Sequence, residues 1–181
     1  MNVQMRLTDG NKIFRRNTDP VLLSRLAVKA EPSIAILSCS DCRVIPEKVF
    51  NLSIGDAFVV RIAGNSASEP AVMGSLEYAV RTLHIRTILV LGHTDCGAVK
   101  AALEDEAPEG LTRVARDVDL ARKLLSGCEA NNVDAIAEAN VKLQMGQIAN
   151  GGRVIRDAVA SGKLAIVGGM YNLSTGFVRL L

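Results

Sequence analysis

Two short apolar segments, each followed closely by cysteine or histidine, constrain the fold of this chain more than any other feature. Residues 34–38 lead into Cys39, and residues 87–91 are followed by His93 and Cys96. Continuous apolar runs of this length are typical of strands buried on both faces of a parallel sheet. The carboxyl ends of neighbouring parallel strands meet at one edge of the sheet, where open α/β folds bind their ligands. We therefore expect the three side chains to lie together at that edge.

Two thiols and one imidazole form a ligand set suited to zinc. A catalytic zinc site uses three protein ligands and keeps a fourth position open, a requirement that Cys39, His93 and Cys96 would meet. Cys96 precedes a segment, residues 97–103, with the composition of a helix. Because the positive end of a helix dipole favours a thiolate, we expect the pKa of the Cys96 thiol to be lowered.

Asp41 and Arg43 follow the first cysteine and stand two residues apart. In an extended loop this spacing would put both side chains on one side, so that Arg43 could hold the Asp41 carboxylate near the metal. The alternative is a solvated pair of loop charges, which is the commoner fate of such residues. An open zinc site gives both residues a role, and for that reason we favour it.

Cys42 allows two other interpretations. With Cys39 it forms a Cys-x-x-Cys pair, which could be a redox dithiol. With Cys39, His93 and Cys96 it could instead complete a closed structural zinc site. Structural zinc usually serves small domains with little core, whereas this chain has 181 residues and 49% hydrophobic residues. The open site with three protein ligands is therefore preferred.

Other function classes lack their signatures. The stretch from Gly92 to Gly97 resembles a phosphate loop, but Ala98 and Val99 stand where that motif requires Lys and Ser or Thr. No Gly-x-Gly-x-x-Gly motif follows a predicted strand, and no Gly-x-Ser-x-Gly motif marks a serine nucleophile. A net charge of +2, no run of like charges and 3% aromatic residues argue against nucleic-acid binding.

The rest of the chain alternates apolar runs with helical patterns. This order predicts an α/β fold with a mainly parallel sheet of four to five strands flanked by helices, in a single domain over residues 1–181. Strands are expected over residues 34–38, 57–61, 87–91 and 164–169, with an edge strand in the tail. Helices are expected over an N-terminal arm at about 4–29, broken at Asp19-Pro20, and over 70–83, 97–103, 112–126, 132–149 and 152–160.

The sequence also predicts a cytoplasmic location. The N-terminal residues contain no apolar stretch long enough for a signal peptide, and no window is apolar enough to span a membrane. Four cysteines without a secretory signal are expected to be thiols or metal ligands rather than a disulfide framework.

Taken together, these motifs resemble the β-class carbonic anhydrases over nearly the whole chain. The similarity lies in Cys39-x-Asp41-x-Arg43, in His93-x-x-Cys96-Gly97, and in residues 56–65, 74–80, 162–168 and 171–173. The resemblance implies reversible hydration of carbon dioxide to bicarbonate and a proton by zinc-bound hydroxide. It further implies one Zn²⁺ per subunit on Cys39, His93 and Cys96, an active-site dyad of Asp41 and Arg43, and a homodimer or an assembly of dimers.

This chain departs from the usual family pattern in four respects. Cys42 replaces the usual serine, and Ile62 stands where asparagine or threonine is usual. Residues 29–32 lack the glutamine of plant-type members, which places the chain closer to the archaeal-like branch. The sequence has no Trp, so the bicarbonate pocket of some relatives cannot be built here in the same form.

Three alternatives stay open at this point. Asp41 could bind zinc as a fourth ligand in a closed form, which higher pH would open as hydroxide displaces it. Relatives with the same zinc motifs hydrolyse carbonyl sulfide or carbon disulfide, and the chain could do the same. A protein from another class, a non-catalytic zinc-stabilised binding or scaffold protein, would result if the fourth position were permanently closed.

Overall fold

The computed structural model describes residues 2–104 and 108–181. The chain divides into two compact units, an N-terminal one that ends at Glu31 and a larger one over Pro32–Leu181. The single domain expected over residues 1–181 stays a prediction. Within the described ranges, no helix has both the length and the apolar character that crossing a membrane requires.

The N-terminal unit consists of two helices, α1 (Val3–Asn17) and α2 (Pro20–Val28). They agree with the predicted helical arm and with its break. Asp19 caps α2, because its side chain accepts a hydrogen bond from the backbone N–H of Val21. Pro20 occupies the first helical position, where its missing N–H costs nothing.

The larger unit is built on a five-stranded sheet in the order β2-β1-β3-β4-β5. The strands are β1 (Ile34–Ser38), β2 (Ala57–Arg61), β3 (Thr87–His93), β4 (Ala165–Tyr171) and β5 (Val178–Leu180). The first four are parallel, and β5 runs antiparallel to β4 at the edge. The predicted α/β fold with a mainly parallel sheet is confirmed.

The strand β3 extends two residues beyond its predicted end at Leu91. Gly92 and His93 continue the ladder by pairing with Met170 and Tyr171 of β4. His93 is therefore part of the sheet, where hydrogen bonding restricts its backbone, rather than part of the loop that follows.

Six α-helices lie in the described part of this unit. They are α3 (Pro46–Val49), α4 (Pro70–Thr82), α5 (Gly97–Ala102), α6 (Thr112–Lys123), α7 (Val133–Ala149) and α8 (Arg153–Ala160). The helix α6 ends three residues before its predicted end, because Leu124 already turns back to donate its backbone N–H to Ala121. The sequence predicts that the acidic residues 104–106 close α5, and this segment lies partly outside the described residues.

The sheet is covered on both faces, as its continuous apolar strands require. On one face, Ile88 and Val90 join a large core with α4, α6 and α7. On the other face, Leu89 and Leu91 pack in a smaller cluster with Ile36. The carboxyl ends of β1 and β3 emerge side by side between these two layers, since Ser38 pairs with Leu91.

Candidate metal centre

Three buried side chains converge where β1 and β3 end. Cys39 directly follows β1, His93 is the last residue of β3, and Cys96 is the N-cap of α5. Their exposed fractions are 3%, 0% and 1%. The sulfur and nitrogen atoms that they offer lie within 4.8 Å of one another. The cluster expected from the two sequence motifs is therefore present in the structure.

The imidazole of His93 is oriented to offer one nitrogen to a metal. Its Nδ1 lies 2.8 Å from the carbonyl oxygen of Thr94, which accepts a hydrogen bond when Nδ1 carries the proton. Nε2 is then an acceptor, and it is buried without a hydrogen-bond partner. An unpaired buried polar atom is costly, so this atom points to a ligand.

The two sulfur atoms have the separation that zinc requires. Zn–S bonds of about 2.3 Å at a tetrahedral angle place two sulfurs about 3.8 Å apart. The Sγ atoms of Cys39 and Cys96 are 3.9 Å apart. With the free Nε2 of His93, these residues fit zinc with three protein ligands and space for a fourth.

The thiols titrate as a pair. A hydrogen bond from Cys96 lowers the pKa of Cys39 to about 4, and the backbone N–H groups of Asp41 and Gly64 lower it further against the opposing effect of burial. The same pairing with Cys39, together with burial, raises the pKa of Cys96. The backbone N–H groups of Val99 and Ala98 in α5 act in the predicted direction, but in the metal-free pair the Cys39 sulfur and burial outweigh them. The lowering of the Cys96 pKa that would favour zinc binding stays a prediction.

Arg43 holds Asp41 beside the cluster. Its Nη2 donates to Asp41 Oδ2 at 2.7 Å and its Nε donates to Oδ1 at 3.0 Å, while its backbone N–H donates to Oδ1 at 2.9 Å. These bonds hold the pKa of the Asp41 carboxyl well below its usual range, with Arg43 as the main cause. The Asp41 side chain is 13% exposed, so it is not a freely solvated loop charge.

Asp95 is a neighbour of this pair that the sequence motifs did not reveal. Its Oδ2 accepts from Arg43 Nη1 at 3.3 Å, and its other carboxylate oxygen is paired with Lys100. Its backbone is left-handed, with φ of +55°, a conformation that aspartate tolerates better than most residues. Asp134 stabilises this turn by accepting the Asp95 backbone N–H at 2.7 Å. An aspartate between the two ligands of a His-x-x-Cys motif was the available signal.

Cys42 lies outside the cluster. Its side chain is exposed, and all four cysteines of the chain are free thiols. In the described part of the chain, the group able to hold a metal is limited to Cys39, His93 and Cys96. The closed site with Cys42 as fourth ligand therefore has no support in the geometry.

Comparisons with known proteins agree with this site. A sequence model of the carbonic anhydrase family matches residues 34–178. A carbonic anhydrase of Mycolicibacterium smegmatis is 40% identical over 159 residues, which cover 82% of this chain and 74% of that protein. The β-carbonic anhydrase CafA of Aspergillus fumigatus has a similar structure, with a TM-score of 0.89 and 29% identity over 99% of this chain and 91% of that chain. A structure of tetrameric β-carbonic anhydrases from Sordaria macrospora gives a TM-score of 0.85 at 25% identity, over 99% of this chain and 96% of that chain. This chain belongs to the β class of the carbonic anhydrase family.

Proposed function

We propose that this protein catalyses the reversible hydration of carbon dioxide to bicarbonate and a proton, with Zn²⁺ held by Cys39, His93 and Cys96. The observation that carries this proposal is the buried, unpaired Nε2 of His93 facing two sulfurs at the spacing of zinc ligands. Zinc bound there supplies a Lewis acid that activates water near neutral pH.

Asp41 and Arg43 are the proposed catalytic pair. Asp41 stays ionised at neutral pH because Arg43 lowers its pKa, so its carboxylate only accepts hydrogen bonds. The guanidinium holds the carboxylate at two points, so the carboxylate oxygens accept hydrogen bonds in a fixed direction. They would thereby orient a hydrogen-bond donor that binds beside Cys39, His93 and Cys96. Two thiolates cancel the charge of a divalent metal, and the positive charge of Arg43 partly compensates for that loss.

The released proton is expected to leave through solvent or buffer. His84 is the other histidine of the chain, and it is exposed and precedes β3 at the opposite end of that strand from His93. It is too far along the strand to accept a proton at the metal ligands directly.

A closed form in which Asp41 becomes the fourth zinc ligand stays a prediction. Asp41 would have to leave Arg43, and Asp95 would then be available as the partner of the guanidinium. Such a form would be favoured at low pH, where less hydroxide competes with the carboxylate.

We also infer a homodimer or an assembly of dimers in the cytoplasm. The assembly is supported by the tetrameric relatives from Sordaria macrospora. The cytoplasmic location is supported by free thiols at all four cysteines. A sedimentation coefficient of a monomer at micromolar concentration would contradict the assembly.

Hydration of carbon dioxide is favoured over the two other functions that the sequence left open. Hydrolysis of carbonyl sulfide or carbon disulfide has no separate observation in its support. A permanently closed scaffold with Cys42 in the fourth position is not supported, because that side chain is exposed and lies outside the group able to hold a metal.

The test is stopped-flow hydration of carbon dioxide by the zinc-loaded protein from about pH 6.5 to 9, a range around a zinc-water pKa near 7. We expect activity that rises with pH. Asp41→Asn, which keeps the shape of the side chain, should reduce turnover at least tenfold with zinc content unchanged. The control is Asp9→Asn on an exposed helix. Equal turnover of Asp41→Asn and wild type would overturn the catalytic role, and inactivity of the zinc-loaded wild type would overturn the function.

A further inference from the structure

Buried polarity in this fold is concentrated in one place. Among the residues described, seven polar or charged side chains are buried: Ser38, Asn65, Ser66, His93, Asp117, Asn140 and Gln144. One of them is a proposed zinc ligand, and another immediately precedes a ligand. The remaining five belong to the backbone segment of residues 64–67 or hydrogen-bond to it. Since buried polar groups are costly, this concentration calls for a function at the segment.

Two carboxamides one helical turn apart on α7 form the centre of the network. Gln144 Nε2 donates to Asn140 Oδ1 at 2.9 Å, and the side chains are 0% and 1% exposed. Each also bonds the backbone of the 64–67 segment. Asn140 Nδ2 donates to the carbonyl oxygen of Gly64 at 2.9 Å, and Gln144 Oε1 accepts the N–H of Ala67 at 2.7 Å. The carboxamide pair thus holds the segment at two points.

Ile62, two residues before the 64–67 segment, is hydrogen-bonded to the end of β1 and to the residue that follows Cys39. Ile62 donates its backbone N–H to Ser38 at 3.0 Å and accepts that of Ser40 at 3.2 Å, so these bonds bracket the cysteine. Gly64 follows with φ of +63°. The next N–H, that of Asn65, donates to the Ile62 carbonyl oxygen at 3.0 Å, the same oxygen that accepts the N–H of Ser40.

The position of Gly64 leaves little freedom. A Cβ atom on it would lie 2.9 Å from Val114 Cγ1, and the positive φ would be strained for any other residue. The peptide unit that joins Gly64 to Asn65 is held at both ends, because its carbonyl oxygen accepts from Asn140 and its N–H donates to Ile62.

We propose that Asn140 and Gln144 are positioning residues of the zinc centre, which fix the 64–67 segment and through it the backbone on either side of Cys39. The inference rests on the proposed zinc-dependent function. Partners that orient metal ligands in this way typically change metal affinity 10–100-fold when removed. A purely structural network would instead change stability without a specific loss of zinc.

The experiment compares two substitutions on the same helix. Asn140→Leu removes the donor to Gly64. Gln147→Leu is the matched control, because Gln147 bonds the side chains of Ser68 and Asp117 but not the segment backbone. Zinc dissociation constants are measured by competition with a chromogenic chelator, and the thiolate-to-metal absorption band is recorded with Co²⁺ in place of zinc.

We expect zinc to bind at least tenfold more weakly to Asn140→Leu, with a shifted cobalt band, and within twofold of wild type to Gln147→Leu. Equal effects of the two substitutions would overturn the proposal. If Asn140→Leu does not fold, Gln144→Met, which keeps the volume and loses the acceptor for Ala67, decides in the same way. A wild type that binds zinc but does not hydrate carbon dioxide would refute the function and leave this inference standing.

Discussion

Gly92, the residue before the proposed ligand His93, should not tolerate even one added methyl group. A Cβ atom there would lie 2.5 Å from Val141 Cγ2 and 2.9 Å from Met170 Sδ, whereas carbon atoms in contact normally sit about 3.5–4.0 Å apart. The backbone of Gly92 has no positive φ, so space alone decides the outcome. Met170 can move, but Val141 is fully buried and has a stiff χ1 on its helix.

Gly92→Ala must therefore push β3 and α7 apart by about 1 Å. Overpacking of this kind costs about 1–3 kcal/mol. For a chain of this size each kcal/mol lowers the melting temperature by roughly 2–4 °C, so the expected loss is roughly 2–12 °C. Because His93 is the next residue, the strain should also weaken zinc binding.

Removing the obstructing side chain should rescue the variant. Val141→Ala alone deletes two methyl groups and costs about 1.5 kcal/mol or more. In the double variant, the methyl group added at position 92 would occupy part of the space that the Val141 methyl groups leave. The two losses of unfolding free energy should therefore not add, and their sum should exceed the loss in the double variant by about 0.5–3 kcal/mol. The control is Gly74→Ala in α4, because a Cβ atom at that position meets nothing within 4 Å. This substitution should stabilise the protein by about 0.5–1 kcal/mol.

The assay is denaturant and thermal unfolding followed by far-UV circular dichroism, since the chain has no Trp for fluorescence. Protein concentration and zinc content are held equal, because binding and assembly both shift apparent stability. A melting temperature of Gly92→Ala within 1 °C of wild type, or strictly additive losses in the double variant, would refute this account of packing against β3.

Two further predictions concern the loop after β1. Arg43 lowers the pKa of Asp41, so their interaction stabilises the fold above the unfolded pKa of about 3.9 and is lost only as pH falls through the lower folded pKa. Arg43→Met should therefore raise the pH at which half of the protein is acid-unfolded. An unchanged midpoint pH, measured by circular dichroism, would contradict this prediction. Because Cys42 is exposed and outside the cluster, Cys42→Ser should leave zinc affinity within twofold, and a tenfold loss by chelator competition would make it a ligand.

The sheet and the clustering of Cys39, His93 and Cys96 could be predicted because their signals are local and strong. The runs at residues 34–38 and 87–91 are apolar except for Ser38 and Thr87, and each is followed within two residues by a cysteine or a histidine. The end of β3 was missed because Gly92 interrupts the apolar pattern. Its pairing with Met170 depends on β4, far along the chain, and no local pattern carries that information.

The buried network could not be predicted for a different reason. Helical spacing puts Asn140 and Gln144 on the same face of α7 as the buried Ile136 and Ile148, but polar side chains at those positions give no reason to expect burial. They are buried because two backbone groups of a distant segment need hydrogen-bond partners. Asp117 of α6 is buried for a similar reason, because it accepts hydrogen bonds from the hydroxyl groups of Ser66 and Ser68.

The helix α7 has a role that its mixed composition hides. Val141 packs against Gly92, which precedes His93, while its neighbour Asn140 holds the carbonyl oxygen of Gly64 beside Cys39. A single helix therefore restrains the backbone next to two of the three proposed zinc ligands, through apolar packing at one and hydrogen bonding at the other. His93 is the last residue of β3 and Cys39 directly follows β1, so the sheet restrains each of them on one side and α7 adds a second restraint. Substitutions on the buried face of α7 should accordingly alter zinc retention more than equally destabilising substitutions on α4, whose last turn leads into the start of β3 rather than its metal-binding end.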